Sequence, residues 1–229
     1  MKEYFLLVLL FCGSFLFSCQ GDEVFKQPTQ VGFAMDINRE AGMGDRLQFD
    51  QGSIILASFD FEGQRVQGDD VFFSREYEQG LLIPFDPNNV IAELDFQIPQ
   101  GSYTRISISF STFDDFGDNS ILVEGSYRNS NDTTYPVRFE FINSEFFEAV
   151  AEDDSGNNEI ILKKETPVNA EIKLDPISWF QAVPQVLMDD ADLIEINGSP
   201  TILVNEDENT NIFEIVVARL DEATETIFR

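Results

Sequence analysis

Asp153, Ser155, Asn157 and Glu159 place side-chain oxygens at alternate positions, the spacing at which a loop can wrap a hard cation. Asn205, Asp207, Asn209 and Asn211 repeat that spacing, and Asp114, Asp115 and Asp118 form a third acidic set. None of them follows the helix–loop–helix calcium pattern D-x-[DN]-x-[DN]-G with its distant Glu. Gly156 comes too early, and residues 205–211 have no turn glycine. Hairpin loops also gather Asp, Asn and Gly for backbone reasons alone. The set Asp153, Ser155, Asn157 and Glu159 is therefore the candidate metal site, and calcium is the one cofactor the sequence leaves open.

Other chemistries lack their residues. The chain has no histidine, which removes Ser-His-Asp triads, HExxH zinc sites and Cys-His pairs. It has no Gly-x-Gly-x-x-Gly, no phosphate-binding loop and no Ser-x-x-Lys. Two carboxylates suffice for glycoside hydrolysis, but with 42 Asp and Glu nothing singles out a pair. The expectation is a non-enzymatic protein. For ligand binding, Trp179-Phe180 and Phe146-Phe147 set two rings side by side, and neighbours on a strand point to opposite faces. Phe, at 23 copies, is the main core filler, which leaves Trp179 as the candidate sugar-stacking ring. Asp132-Thr133-Thr134 resembles a three-residue O-glycosylation signal of Bacteroidota envelope proteins, which makes Thr133 a candidate modification site in an exposed loop.

The formal charge of the 229-residue chain is −28, from 14 Lys and Arg against 42 acids, so it lacks the basic footprint that nucleic acid requires. Its 43% hydrophobic content is that of a globular protein rather than a disordered acidic one. Met1 to Ser18 reads as a signal peptide: Lys2, then an apolar run from Tyr4 to Phe11 extended by Phe15, Leu16 and Phe17. Leu16-Phe17-Ser18-Cys19 resembles a bacterial lipobox, which implies cleavage before Cys19 and its acylation. Cys12 leaves with the signal, so the mature chain has no disulfide and holds its fold by its core. The acidic pair Asp22-Glu23 resembles the surface-export signal of Bacteroidota-type lipoproteins, placing the protein in the outer membrane and facing outward.

The elements that must carry these residues alternate with period two. Val31, Phe33, Met35 and Ile37 share one face of a first strand, and Ile55, Ala57, Phe59 and Phe61 one face of a second. Val71, Phe73 and Tyr77 suggest a third, and Val90, Ala92, Leu94, Phe96 and Ile98 a fourth. Ile106, Ile108 and Phe110 oppose Arg105, Ser107, Ser109 and Ser111. Further strands run through Ile121/Val123, Tyr135/Val137/Phe139/Phe141, Ile160/Leu162 and Ala170/Ile172/Leu174. One buried and one wet face is the antiparallel signature. Asp175-Pro176 opens a short helix through Trp179 and Phe180, stopped by Pro184. Asn211-Ile212-Phe213-Glu214 has capping-box spacing before Val216, Val217 and Leu220, which predicts a second helix, although Phe213 to Val217 fits a strand equally well.

The fold expected is mainly β, an antiparallel β-sandwich with a short helical C-terminal segment. Residues 1–18 are the signal, 19–30 the lipidated tether, 31–174 the sandwich, and 175–229 an α/β segment packed on it. Ile98-Pro99-Gln100-Gly101-Ser102-Tyr103-Thr104-Arg105-Ile106 resembles the proline, Gly-x-Tyr, x-x-Ile strand start of many Bacteroidota lipoproteins, among them fimbrillin-related, transthyretin-like sandwiches. That resemblance implies a surface sandwich and transfers no binding residue. The function expected is a lipid-anchored adhesion or ligand-binding module for glycan or protein. The alternative is a structural accessory subunit of an envelope or fimbrial assembly, and the membrane is a partner through the N-terminal lipid.

Overall fold

The computed structural model describes residues 27–86, 92–114, 119–164, 166–222 and 224–229. The readings on the signal peptide, Cys19, Asp22-Glu23, Val90, Asp115 and Asp118 lie outside the described residues.

Thirteen strands form one sheet: β1 Pro28–Ile37, β2 Leu47–Arg65, β3 Val71–Pro84, β4 Asp95–Pro99, β5 Gly101–Thr112, β6 Ile121–Arg128, β7 Thr134–Phe141, β8 Phe146–Asp153, β9 Ile160–Leu162, β10 Val168–Leu174, β11 Leu193–Ile196, β12 Ser199–Val204 and β13 Thr224–Phe228. Their order is β11-β12-β7-β6-β2-β5-β8-β13-β10-β1-β4, with β3 added to β2 and β9 to β5. The protein is mainly β, as the alternation predicts, but the sheet is mixed rather than antiparallel. β1 runs parallel to β10, β7 to β12 and β8 to β13. Alternation reports which face is buried and is blind to strand direction, so these long-range parallel pairs leave no local mark.

Register explains where the period-two reading slips. In β2 the buried residues are Leu47 and Phe49, then Ile54 and Leu56, then Phe59 and Phe61. The inward parity flips twice, at the register shifts between Phe49 and Gln51 and between Leu56 and Ser58. Each bulge inserts one residue and turns every later side chain over. Ile55 and Ala57, expected inward with Phe59, are therefore only half-buried.

β1 begins at Pro28, so residues 28–30, read as tether, belong to the sheet. β1 bonds β10 along one edge and β4 along the other, and from Val31 to Ile37 both of its faces are buried, Asp36 included at 4% exposed. A buried carboxylate needs a partner. Arg39 supplies it, bonding both Asp36 oxygens while also donating to the carbonyls of Phe85 at 3.2 Å and Asp50 at 3.1 Å. The sheet curls until distant strands meet: Phe33 of β1 and Phe59 of β2, which do not pair, have ring centroids 5.1 Å apart. Phe59, Phe96 and Phe73 continue that contact at 5.3 and 4.5 Å.

Tyr103, 0% exposed, donates its hydroxyl to the Pro99 carbonyl at 2.6 Å and pins the passage from β4 to β5. These two strands are not neighbours: β4 bonds β1, whereas β5 bonds β2, β8 and β9. Gly101 turns that corner with φ +148°, a region that favours glycine.

The C-terminal region is woven into the sheet rather than packed on it. β13 inserts between β8 and β10, and β12 extends the sheet beyond β7. α1, Pro176–Phe180, starts as the sequence predicts, with Asp175 accepting from the Ile177 and Ser178 N–H groups at 3.0 and 3.2 Å. α2 is Gln185–Asp189 and α3 is Thr210–Val217. The N-cap of α3 is Asn209 at φ 49°, two residues before the expected Asn211. Asn209 takes the cap position because its side chain ties two strand ends, donating to the carbonyls of Asp192 and Leu203 at 3.0 and 2.7 Å.

Candidate functional surface

The expected calcium loop is organised as a turn. Asp153 Oδ1 accepts the N–H groups of Ser155 and Asn157 at 2.8 and 2.9 Å, and the Asn157 amide donates to both Asp153 oxygens. These bonds, chiefly those from Asn157, hold the Asp153 carboxyl below the usual range. Asn157 thus presents donors, not an oxygen, to the loop centre. Glu159 turns away and accepts from Ser102 Oγ of β5 at 2.8 Å. Asp153 and Asn157 are thus bonded to each other across the turn, and Glu159 is bonded to β5. Residues 205–211 behave alike: Asn205 Oδ1 accepts from the N–H groups of Asp207 and Glu208 at 3.0 and 2.8 Å. Among the described residues, no three acidic or thiol groups gather as metal ligands.

Trp179 does not offer a stacking face. It is 0% exposed, its ring 6.2 Å from Phe139, and Phe180 beside it is buried against Phe49 at 5.2 Å. The two-face rule fails here because the pair sits on a helix, where successive side chains lie about 100° apart and both fit within the core-facing arc. On β8 the rule holds: Phe147 is 0% and Phe146 54% exposed. Thr133 is exposed at the tip of the β6–β7 hairpin, where Asn129 Oδ1 accepts its N–H at 3.0 Å.

What the sheet assembles instead is an open face across β3, β2, β5 and β8. Cross-strand register sets three rows: Phe72–Glu62–Ser107–Val150, Ser74–Asp60–Ser109–Glu148 and Glu76–Ser58–Ser111–Phe146. The middle of each row is hydroxyl or carboxylate, and Ser58 and Ser111 share a hydrogen bond of 2.7 Å. Apolar groups stand at the margins, with Phe72 70%, Phe146 54% and Val150 37% exposed. Arg105 extends the face along β5, its Nε donating to Ser107 Oγ at 3.1 Å. Short side chains keep the centre low, while the marginal rings project. Such a surface can hydrogen-bond a row of hydroxyls and stack apolar faces along its edges.

A separate groove of about 450 Å³ lies where β1 and β10 end, lined by Asn38, Glu40, Lys173, Asp175, Ser178 and Glu222. Asp175 there is committed to the α1 cap, to Ser178 Oγ at 2.7 Å and to Asn38 Nδ2 at 3.1 Å. The sequence hinted at the open face only through the serine alternation of β5; its β2, β3 and β8 neighbours are long-range.

No family model, curated protein or solved structure matches this chain.

Proposed function

We propose that this chain is a lipid-anchored lipoprotein of the outer membrane, displayed on the cell surface, acting as a non-enzymatic binding module for an extended glycan or protein ligand. The anchor rests on the lipobox-like Leu16-Phe17-Ser18-Cys19 and the outward orientation on Asp22-Glu23. We read the curled sheet as a β-sandwich, supported by the Phe33–Phe59 contact between strands that do not pair. The observation that carries the binding role is the open face of serine and carboxylate rows edged by Phe72, Val150 and Phe146. Its flatness suits an extended chain better than a small molecule, which prefers an enclosed pocket. Thr133, at an exposed hairpin tip, is the proposed glycosylation position.

Protease shaving of intact cells, with a periplasmic control, tests the display. Digestion of this protein while the control survives supports it; survival until the envelope is broken rejects outward orientation. A glycan and surface-protein panel then tests binding, with Asp60→Ala and Phe146→Ala as the variants that should lose it.

The second reading, an accessory subunit of an envelope assembly, is favoured by β3. It bonds β2 along one edge, no described strand pairs with the other, and Phe72 and Leu82 on it are 70% and 63% exposed. Open edges accept strands. Cross-linking in envelopes that captures a partner through β3 would favour this reading.

A further inference from the structure

Exposed apolar side chains and exposed lysines come together at the end of the molecule where the chain runs toward Cys19. We infer that this end lies against the bilayer, with Val66 and Ile161 at headgroup depth and Lys163 and Lys164 on lipid phosphates. The inference rests on the lipid-anchor reading and adds an orientation and a contact surface to it.

The chain joins the domain at Gln27, whose carbonyl accepts the Gln100 N–H at 2.9 Å, and Thr29 Oγ1 donates to the Lys163 carbonyl at 2.9 Å. Eight Cα-to-Cα steps link Cys19 to Gln27. At no more than about 3.6 Å each, they reach roughly 29 Å. The end bearing Gln27, Gln100 and Lys163 is therefore leashed close to the membrane, whatever the rest of the domain does.

That end carries an apolar pair. The Val66 N–H donates to the Ser102 carbonyl at 2.9 Å, and Ile161 is the register partner of Ser102 on the other side. The two side chains flank one serine and are 56% and 58% exposed. Two positions beyond Ile161 comes Lys163, followed by Lys164, both exposed. Among the described residues neither lysine pairs with a carboxylate. Aliphatic groups beside exposed ammonium groups match the boundary between acyl chains and phosphates.

Charge selects this end over the others. Arg65 sits by Asp69 and Asp70, its N–H donating to Asp70 Oδ1 at 3.1 Å, and Lys163 and Lys164 follow directly on the end of β9, while the adjoining β8–β9 loop carries Asp153 and Asp154, the latter 3.5 Å from Arg229. Arg65, Lys163 and Lys164 gather three of the chain's 14 cationic residues at this end, in a chain with 42 acids. An anionic bilayer repels the remaining surface more strongly than this one. The open face on β2 and β5 begins five residues along β5 from Ser102, which stands it off the membrane toward its ligand.

The mature chain offers only Cys19, so single cysteines can be placed and labelled cleanly. Lipidated Val66→Cys, Ile161→Cys and, as control, Val186→Cys would carry an environment-sensitive fluorophore in phosphatidylethanolamine/phosphatidylglycerol vesicles. Val186 is 59% exposed on α2, which bonds the hairpin beside Leu47, at the opposite end of β2 from Arg65. Labels at 66 and 161 should shift to the blue and lose at least half their iodide quenching relative to 186. The double change Lys163→Glu with Lys164→Glu should restore quenching at 161 while the protein stays acylated. Equal quenching at all three sites on an acylated protein overturns the inference and leaves the anchor standing. A mature mass without acyl chains overturns the anchor reading and the inference with it. Shielding in native envelopes but not on vesicles assigns the surface to a protein neighbour and overturns the lipid contact.

Discussion

The hydroxyl of Tyr127 in β6 donates to Asp189 of α2 at 2.7 Å, and the same carboxylate oxygen accepts the Ser130 N–H at 3.0 Å. One carboxylate thus ties a helix, a strand and a hairpin tip. Burial and the carboxylate push the Tyr127 phenol above its ordinary range, and the bond from Tyr127 holds Asp189 below its own. Tyr127→Phe should lower stability by about 1.5 kcal/mol, the low end for a hydrogen bond to a charged group because the pair is only part-buried. Tyr135→Phe, its cross-strand neighbour, should change it by less than about 0.5 kcal/mol. Urea unfolding of both variants measures the difference.

The pH profile follows in sign. Asp189 and Asp153 have lowered values, so their stabilisation is present above the ordinary Asp value near 3.9 and is lost as pH falls through the folded value. Tyr103, pushed by burial to about 12, and Tyr127 are raised. Their stabilisation is complete below about pH 10 and fades as pH climbs toward the folded values. With no histidine, no side-chain step at an ordinary pKa falls between about pH 5 and 8. Thermal melts across pH 2 to 12 should show a plateau with losses at both ends.

Gly125 of β6 lets two backbones approach: a Cβ there would sit 1.9 Å from the Gln48 carbonyl oxygen of β2. Because the obstacle is backbone, Gly125→Ala must push β6 off β2, at a cost of about 1–3 kcal/mol or more. Gly52→Ala, 2.1 Å from the Leu122 oxygen, should behave alike. Denaturation midpoints, with hydrogen exchange at Leu47 to Phe49, test both.

Calcium should leave the fold unmoved. Asp153 and Asn157 are bonded to each other and Glu159 to Ser102, so melts with calcium or chelator should superimpose. A rise that Asp153→Asn abolishes would instead reveal a loop that rearranges around the ion.

Ligand at the open face should be invisible to Trp179. The indole is fully buried among core rings, so native emission is blue-shifted and moves red only on unfolding. A ligand whose affinity falls with Phe146→Ala or Asp60→Ala, while Trp179 emission and melting stay constant, fits the proposed surface. Emission that shifts on binding would point to the core end instead.

Local pattern determined much of this protein. The buried face of β5, the buried Val31, Phe33, Met35 and Ile37, and the Asp175 cap were all readable, because alternation and capping depend on residues a few positions apart. β8 shows locally only in the Phe146-Phe147 pair, and β11, β12 and β13 leave no local mark, since they are short or are secured by distant partners. Strand direction, the two parity flips in β2, the burial of Trp179 and the turn made from Asp153 and Asn157 were decided only in three dimensions. The rows joining Phe72 to Val150 and Glu76 to Phe146 likewise exist only because four strands align in register. Those relationships are set by bulges and by pairing between distant segments, Val31 and Val168 being 137 residues apart, and no local spacing encodes them.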